Sequence, residues 1–199
     1  MLNPYIYKTE GDLSRADVVA LTLLCRGKDV IEFGIGGSTV LLSQVANKVI
    51  TYEHDQTWID RISPKLGSNV EIRLIDKGNT PLEGALSVVG IGEHCDVCFI
   101  DGHSHLRSPA LTEFWSHIKD CAILHDSRMT YAGNCVKKFL DAFINKNEPS
   151  AANPGLADNP FTGSLDTIHW NYLESNMVVM TKRNCTLKYE NWKVGENGT

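Results

Sequence analysis

The feature that most constrains the fold is a glycine-rich turn that joins an apolar run to a helix-like segment. The run 30–33 leads into the turn 34–37, which reads G-I-G-G, and residues 38–46 have helical character. A second apolar run, 48–53, follows and ends in Glu53. A strand, a tight glycine turn, a helix and a second strand form a nucleoside-binding half-unit. Glycines let the backbone approach a ligand closely, and the helix N-terminus offers N–H groups without intrahelical partners.

Strand-like and helix-like segments alternate along most of the chain, which predicts a parallel sheet covered by helices on both faces. We therefore expect an α/β fold with a doubly wound, mostly parallel sheet of about seven strands. The predicted helices are 13–26, 38–46, 56–66, 80–90, 109–119 and 133–146. The predicted strands are 29–33, 48–53, 70–75, 96–100, 121–124, 165–173 and 177–180.

Length and composition favour one domain. A chain of 199 residues, 42% of them hydrophobic, can bury a substantial core but has little room for a second domain. We expect an N-terminal helix at 13–26, a core at 28–182 and an irregular tail at 183–199, with residues 147–163 forming a loop rich in proline and glycine.

The charge and hydropathy patterns exclude several function classes. The net charge is −5, so no basic face for nucleic acid is expected. No apolar run approaches the roughly 18 residues of a membrane helix, and the polar N-terminus does not resemble a signal peptide. We therefore expect a cytoplasmic protein without a membrane or nucleic-acid partner. A homodimer is left open.

Six cysteines raise the question of a metal or redox site. The pair Cys95-x-x-Cys98 has the spacing of such sites, but no second pair follows it. The pair brackets the start of a predicted strand, and alternation along a strand would place the two thiols on opposite faces. We therefore expect buried, reduced thiols.

The spacing of the glycines separates two ligand classes. A dinucleotide-binding turn reads G-x-G-x-x-G and places a pyrophosphate against the helix N-terminus. Here Thr39 stands where the third glycine is expected, and Glu32 precedes the turn. That acid would repel a pyrophosphate and attract a cationic amino group. The segment 32–37 therefore resembles the first motif of class I S-adenosylmethionine (SAM)-dependent methyltransferases.

The resemblance implies a set of cofactor-binding residues. In that family the acid-glycine turn lies under the methionine part of SAM, and the acid that ends the second strand binds the ribose. By position, residues of the turn and of the helix start lie under the methionine part, and Glu53 binds the ribose. His54 flanks the ribose, Asp76 lies near the adenine, and Asp101 makes a further contact with the cofactor. The implied residues are Glu32, Gly34, Gly36, Ser38, Thr39, Glu53, His54, Asp76 and Asp101.

A second resemblance concerns the ends of the fourth and fifth predicted strands. Residues 99–103, F-I-D-G-H, and 123–127, I-L-H-D-S, are similar to those strand ends in O-methyltransferases of the catechol type. In metal-dependent members, two acids and an asparagine at these ends hold one Mg²⁺ ion. Asp101 and Asp126 match the acids, but Ser127 stands where asparagine is expected. The resemblance leaves a Mg²⁺ ion at Asp101 and Asp126 open.

Methyl transfer also requires positioning of the nucleophile and removal of its proton. His103 and His105 follow the fourth strand directly, where the family often has catalytic groups, and His125 adjoins Asp126. A histidine of near-neutral pKa suits a general base. We expect His103, His105 and Asp126 to be the catalytic residues. Cations near the predicted cleft could meet an anionic substrate, although each alone is more often an exposed surface charge: Lys77, Arg107 and Arg128.

Together these features predict a SAM-dependent methyltransferase that acts on an oxygen of a small or medium-sized molecule. Two alternatives remain: an NAD-binding oxidoreductase, and a non-catalytic SAM-binding protein of the same fold. The missing third glycine and Glu32 count against the first, whereas Ser127 keeps the second open.

Overall fold

The computed structural model describes residues 13–75, 94–102, 104–126, 133–139, 165–170, 173 and 175–182. The predicted helix at 80–90, the predicted loop at 147–163 and the tail at 183–199 lie outside the described residues. Among the described residues, no helix has the length and apolar character required to cross a membrane.

The described strands form one seven-stranded sheet in the order β3-β2-β1-β4-β5-β7-β6. Strands β1 to β5 pair in parallel, whereas β7 runs antiparallel to both β5 and β6. This arrangement confirms the prediction of a doubly wound, mostly parallel sheet. The strands are β1 (Asp29–Phe33), β2 (Lys48–Glu53), β3 (Val70–Leu74), β4 (Cys95–Ile100), β5 (Ile118–His125), β6 (Leu165–Trp170) and β7 (Met177–Lys182).

Four described helices accompany the sheet, and residues 133–139 are also helical. The N-terminal helix begins at a capping box in which the Ser14 Oγ accepts from the Asp17 N–H and the Asp17 carboxylate accepts from the Ser14 N–H. Short 3₁₀ segments at Ser63–Lys65 and Trp115–His117 follow the third and fourth helices. The helices are α1 (Arg15–Cys25), α2 (Gly37–Val45), α3 (Gln56–Ile62) and α4 (Ser104–Phe114).

Helix α4 begins five residues before the predicted start at 109. The predicted start coincides with Pro109, which suits a first turn but costs a backbone hydrogen bond inside a helix. The early start places Arg107 in the first turn of α4, where its side chain binds groups at the ends of β4 and β5. The contacts of Arg107 with the strand ends therefore outweigh the local preference for a helix that starts at Pro109.

The core fills both faces of the central strands, as a parallel sheet requires. Ile31 and Phe33 of β1 belong to one apolar cluster, and Val30 belongs to the cluster on the other face. The last four residues of β1 are all buried. The sheet is thus a rigid platform, and its carboxyl edge is the natural place for a ligand.

The cysteines support the structural interpretation, with one correction. Cys95 and Cys98 lie in the same apolar cluster, so the expectation of opposite faces is wrong. The strand register shifts between Cys95 and Val97, and this irregularity breaks the simple alternation. Burial raises the pKa of the Cys95 thiol to about 12 and that of Cys98 well above its usual value. Neither thiol therefore offers a thiolate at neutral pH. The free, buried cysteines among the described residues are Cys25, Cys95, Cys98, Cys121 and Cys135.

The sheet order reverses between β1 and β4, and there the two strand ends touch through backbone atoms. Gly34 has φ +98°, and a Cβ on it would lie 3.0 Å from the Cα and N of Gly102. The Asp101 N–H donates to the Phe33 carbonyl at 2.9 Å. The turn after β1 can therefore lie this close to β4 only because residue 34 has no side chain.

We expect Gly34→Ala to lower the free energy of unfolding by about 2–5 kcal/mol, because backbone strain and the clash with Gly102 add together. Gly27→Ala is the matched control: Gly27 also has positive φ, +68°, but an added Cβ would meet no atom within 4 Å. It should cost only about 1–2 kcal/mol. Urea unfolding monitored by circular dichroism measures both losses. Equal losses would contradict a steric role for the contact with Gly102.

Candidate active site at the carboxyl edge of the sheet

Carboxylates gather where β1, β2, β4 and β5 end. Glu32 is the next-to-last residue of β1, Glu53 ends β2, Asp101 follows β4 and Asp126 follows β5. Asp76, the fifth acid predicted at this edge, lies outside the described residues. The four described acids divide into one group at the glycine turn and one group at the ends of β4 and β5.

At the turn, Glu32 is completely buried and bonds to the start of α2. Its carboxylate accepts from the Ser38 hydroxyl at 2.6 Å and from the Thr39 hydroxyl at 2.7 Å. The Thr39 hydroxyl oxygen in turn accepts from the Gly36 N–H at 2.9 Å. Glu32, Ser38 and Thr39 thus fix the shape of the turn from beneath, close to the positive end of the helix dipole.

The surroundings of Glu32 also change its ionisation. Burial raises the pKa of this carboxyl to about 7, although the hydrogen bonds from Ser38 and Thr39 oppose the shift. The charge of Asp101 adds to the increase. A carboxylate tied to two hydroxyls stabilises the turn itself, and its predicted attraction for a cationic amino group stays a prediction.

Glu53 links the end of β2 to the same turn. Its Oε2 accepts from the Ile35 N–H at 2.9 Å, and its Oε1 accepts from the N–H groups of His54 at 2.6 Å and Asp55 at 2.8 Å. The His54 Nδ1 also lies 2.8 Å from Oε1. Each carboxylate oxygen can accept two hydrogen bonds, and Oε2 accepts one from the described residues. Glu53 is therefore held rigidly with capacity for a further donor.

The second group is organised by Arg107, which is only 6% exposed. Its Nη2 lies 3.0 Å from the Asp101 Oδ1 and 3.0 Å from the Asp126 Oδ2. Its Nε donates to the Gly102 carbonyl at 2.8 Å, and its Nη1 donates to the His125 carbonyl at 2.9 Å. Arg107 was predicted as a surface charge or a contact for an anionic substrate. The structure instead makes it a buried link between two strand ends.

His125 connects this group to the N-terminal helix. Its Nδ1 lies 3.1 Å from the Asp101 Oδ1, and its Nε2 lies 3.7 Å from a carboxylate oxygen of Asp17. Burial alone would lower the pKa of His125, but the carboxylates of Asp101, Asp17 and Asp126 raise it to about 10. At neutral pH this imidazole therefore carries a proton, so it cannot accept one as a general base.

Asp17 and Asn176 complete the cluster, and the sequence analysis missed both. Asp17 is 1% exposed and accepts from the Asn176 N–H at 2.7 Å. Burial alone would raise the pKa of Asp17, but the nearby His125 ring and the hydrogen bonds from Ser14 and Asn176 lower it to about 2. The Asn176 side-chain amide donates to the Asp126 Oδ1 at 3.2 Å. The position of Asp17 within the largely apolar segment 15–25 is the one sequence signal that could have indicated its place in this cluster.

The backbone at Asp126 is also unusual. Its φ is +60°, a left-handed conformation that non-glycine residues seldom adopt. Such a conformation persists where surrounding contacts determine it, and here Arg107 and Asn176 hold the carboxylate. The side chain of Asp126 is therefore precisely oriented at the edge of the sheet.

Of the predicted catalytic histidines, His103 lies outside the described residues. His105 belongs to the first turn of α4, but its side chain lies outside the described part. The structure brings Asp101 and Asp126 together as predicted, and joins them through Arg107.

The strand-end acids do not fit the Mg²⁺ ion that the sequence left open. Ligand atoms of Asp101, His125 and Asp126 lie within 4.8 Å of one another, which is a suitable spacing for an ion. However, the Arg107 guanidinium lies between the two carboxylates, with its Nη2 3.0 Å from an oxygen of each. Ser127, which stands in place of the expected asparagine, lies outside the described residues.

Comparison with known proteins shows the fold. No protein-family model matches the chain, and no curated protein matches it in sequence. Among solved structures, a methyltransferase-like protein from Silicibacter pomeroyi superposes with a TM-score of 0.55 at 16% identity, covering 87% of this chain and 88% of that one. An O-methyltransferase from Bacillus cereus in complex with SAH gives 0.57 at 16% identity, covering 86% and 82%.

A third match is a tRNA (m1A58) methyltransferase from Aquifex aeolicus, with a TM-score of 0.51 at 16% identity, covering 84% of this chain and 67% of that one. The three proteins share the fold with this chain, although one is an O-methyltransferase and another is a tRNA methyltransferase. The fold therefore indicates a methyltransferase architecture and leaves the acceptor to be inferred from the site.

The ionisation of His125 generates a test by pH. A folded-state pKa of about 10 lies above the ordinary 6.5. The stabilisation is therefore complete below about pH 6.5 and is lost as the pH rises toward 10. Between pH 6 and 9, the stability advantage of the wild type over His125→Asn should shrink by on the order of 3 kcal/mol. Urea unfolding of both proteins at the two pH values measures this change.

Asp101→Asn is the accompanying variant, because Asp101 contributes most to the raised pKa. It should move the loss of stability to lower pH. An advantage over His125→Asn that stays constant from pH 6 to 9 would contradict the assignment of a charged His125.

Proposed function

We propose that this protein transfers the methyl group of SAM to an oxygen atom of a small or medium-sized molecule. The observation that carries the proposal is the coupling of Glu53 to the glycine turn, at the point where the strand order reverses. Ligands of open α/β sheets bind at this position. The Glu53 carboxylate, the close approach at Gly34 and the N-terminus of α2 converge there.

The cofactor side of the site is shaped by the turn after β1, which packs against Gly102 only because residue 34 has no side chain. In the proposal, Gly34, Gly36 and the start of α2 line the methionine end, while Glu32, Ser38 and Thr39 hold the turn in shape. Glu53 accepts a hydrogen bond from the ribose, and His54 flanks it. Asp76 belongs near the adenine. When bound, SAM supplies an electrophilic methyl group on a sulfonium.

Two observations support SAM over NAD as the ligand. The typical dinucleotide-binding sheet has the strand order 3-2-1-4-5-6, whereas here an antiparallel β7 stands between β5 and β6. The buried carboxyl of Glu32 also bonds to the first residues of α2, so an acidic group lies close to the helix N-terminus against which a pyrophosphate would sit. An oxidoreductase is therefore the weaker alternative.

The acceptor side follows from the topology. Because the cofactor occupies the half-sheet of β1 and β2, its methyl group points toward the ends of β4 and β5. Asp101 and Asp126 follow those strand ends, and His103 and His105 come next after β4 along the sequence. We assign proton removal to His103 or His105, because the protonated His125 is unsuited to it. A compact chain of this charge suits a small-molecule acceptor in the cytoplasm.

We expect Glu53→Ala to weaken binding of S-adenosylhomocysteine (SAH) tenfold or more, since a hydrogen bond to a charged acceptor contributes about 1.5–3 kcal/mol. Isothermal titration calorimetry with SAH and NAD measures this. Glu71→Ala, which removes an exposed carboxylate from the neighbouring strand β3, is the matched control and should bind as the wild type does.

Glu53 also holds the turn, so each variant must first show a cooperative unfolding transition. Glu53→Gln, which keeps the shape of the side chain, separates the loss of the charge from the loss of the turn. Unchanged SAH affinity in a folded Glu53→Ala protein would remove Glu53 from the site. Tighter binding of NAD than of SAH would overturn the proposal in favour of an oxidoreductase.

A further inference from the structure

Arg107 stands between Asp101 and Asp126, the two acids for which the sequence left a Mg²⁺ ion open. We propose that the Arg107 guanidinium is a built-in cation that replaces a divalent metal at Asp101 and Asp126, so that the acceptor side of the site works without a metal. The statement that this is the acceptor side of a methyltransferase site rests on the proposed function. The statement that Arg107 occupies the place of a metal ion does not, because it can be tested on the protein without SAM.

The geometry supports replacement rather than coexistence. One nitrogen, Nη2, lies 3.0 Å from an oxygen of each carboxylate, which is hydrogen-bonding distance on both sides. Mg²⁺ requires oxygen ligands at about 2.0–2.1 Å in near-octahedral geometry. An ion bound by the Asp101 Oδ1 and the Asp126 Oδ2 would have to take the place that Nη2 occupies.

The guanidinium is fixed from a second direction. Its Nε and Nη1 donate to the carbonyls of Gly102 and His125, which belong to the ends of β4 and β5. The side chain thus bridges two neighbouring strands through their backbone as well as through Asp101 and Asp126. Arginine suits this task because its planar fork holds several donors in fixed directions.

The guanidinium also supplies positive charge where an ion would supply it. The carboxylates of Asp101 and Asp126 both pair with Arg107, and the side-chain amide of Asn176 donates to Asp126 and adds no charge. A divalent ion at these two carboxylates would therefore meet the fixed positive charge of Arg107 at short range. Repulsion at this distance is strong in a buried site.

The replacement has a consequence for the acceptor. A metal ion binds vicinal oxygens by chelation and lowers their pKa, whereas a guanidinium whose donors are bound to protein groups does neither. We therefore infer an acceptor that is recognised without chelation, whose proton is removed by a protein base.

The test is a titration with Mn²⁺, followed by the electron paramagnetic resonance signal of the free ion. The wild type should bind no stoichiometric Mn²⁺ at millimolar concentration. Arg107→Ala should bind one ion per chain at submillimolar concentration, because it opens the space between Asp101 and Asp126. The double variant Arg107→Ala with Asp101→Asn should lose that ion. Arg26→Ala, which removes an exposed arginine, is the matched control and should behave as the wild type.

Arg107→Met keeps the apolar stem of the side chain and serves if Arg107→Ala does not fold. If neither variant folds, the Mn²⁺ titration is carried out on the wild type and on Asp101→Asn. Stoichiometric Mn²⁺ binding by the wild type that is lost in Asp101→Asn overturns the proposal. A folded Arg107 variant that binds no Mn²⁺ overturns it as well. Calorimetry with SAH on the wild type and on the Arg107 variants reports the proposed function separately, because Arg107 is not among the residues proposed to contact SAH.

Discussion

The contact between the backbones of Gly34 and Gly102 is the constraint on which the rest of this edge depends. It brings the ends of β1 and β4 together where the strand order reverses, and it leaves no space for a Cβ on residue 34. The turn can then receive the Glu53 carboxylate on its Ile35 N–H while Glu32 ties its underside to α2. A shift of this turn would move the carboxylates of Glu32 and Glu53. The shape of the cofactor side therefore depends on the packing of the sheet.

The acceptor side depends on a different kind of interaction, a buried network of charges. Arg107 joins two strand ends, and His125 and Asp17 extend the network to the N-terminal helix. Removing one member of such a network leaves another charge buried without compensation, which is costly. The network therefore fixes the direction of the Asp101 and Asp126 carboxylates and ties α1 to the site. The positive charge of Arg107 also offsets the repulsion between the Asp101 and Asp126 carboxylates, so these two acids can lie close together without a metal ion.

Sequence reasoning located the carboxyl edge well, because glycines, apolar runs and acids that end strands are local signals. It placed Glu53 beside the turn after β1, as the structure does. It did not find the partners of the acids, since these contacts link residues far apart in the chain: Asn176 and Asp17 are 159 positions apart. The same limit explains Arg107, whose role depends on Asp126, and Cys95, whose orientation follows from an irregularity in strand pairing.

The most direct test of this account is a crystal structure of the protein grown with SAH and Mg²⁺. The account predicts SAH over the turn 34–37 with its ribose on Glu53, and Arg107 still bridging Asp101 and Asp126. SAH bound away from this turn would contradict the cofactor assignment. A Mg²⁺ ion on both carboxylates, with the guanidinium displaced, would contradict the role assigned to Arg107.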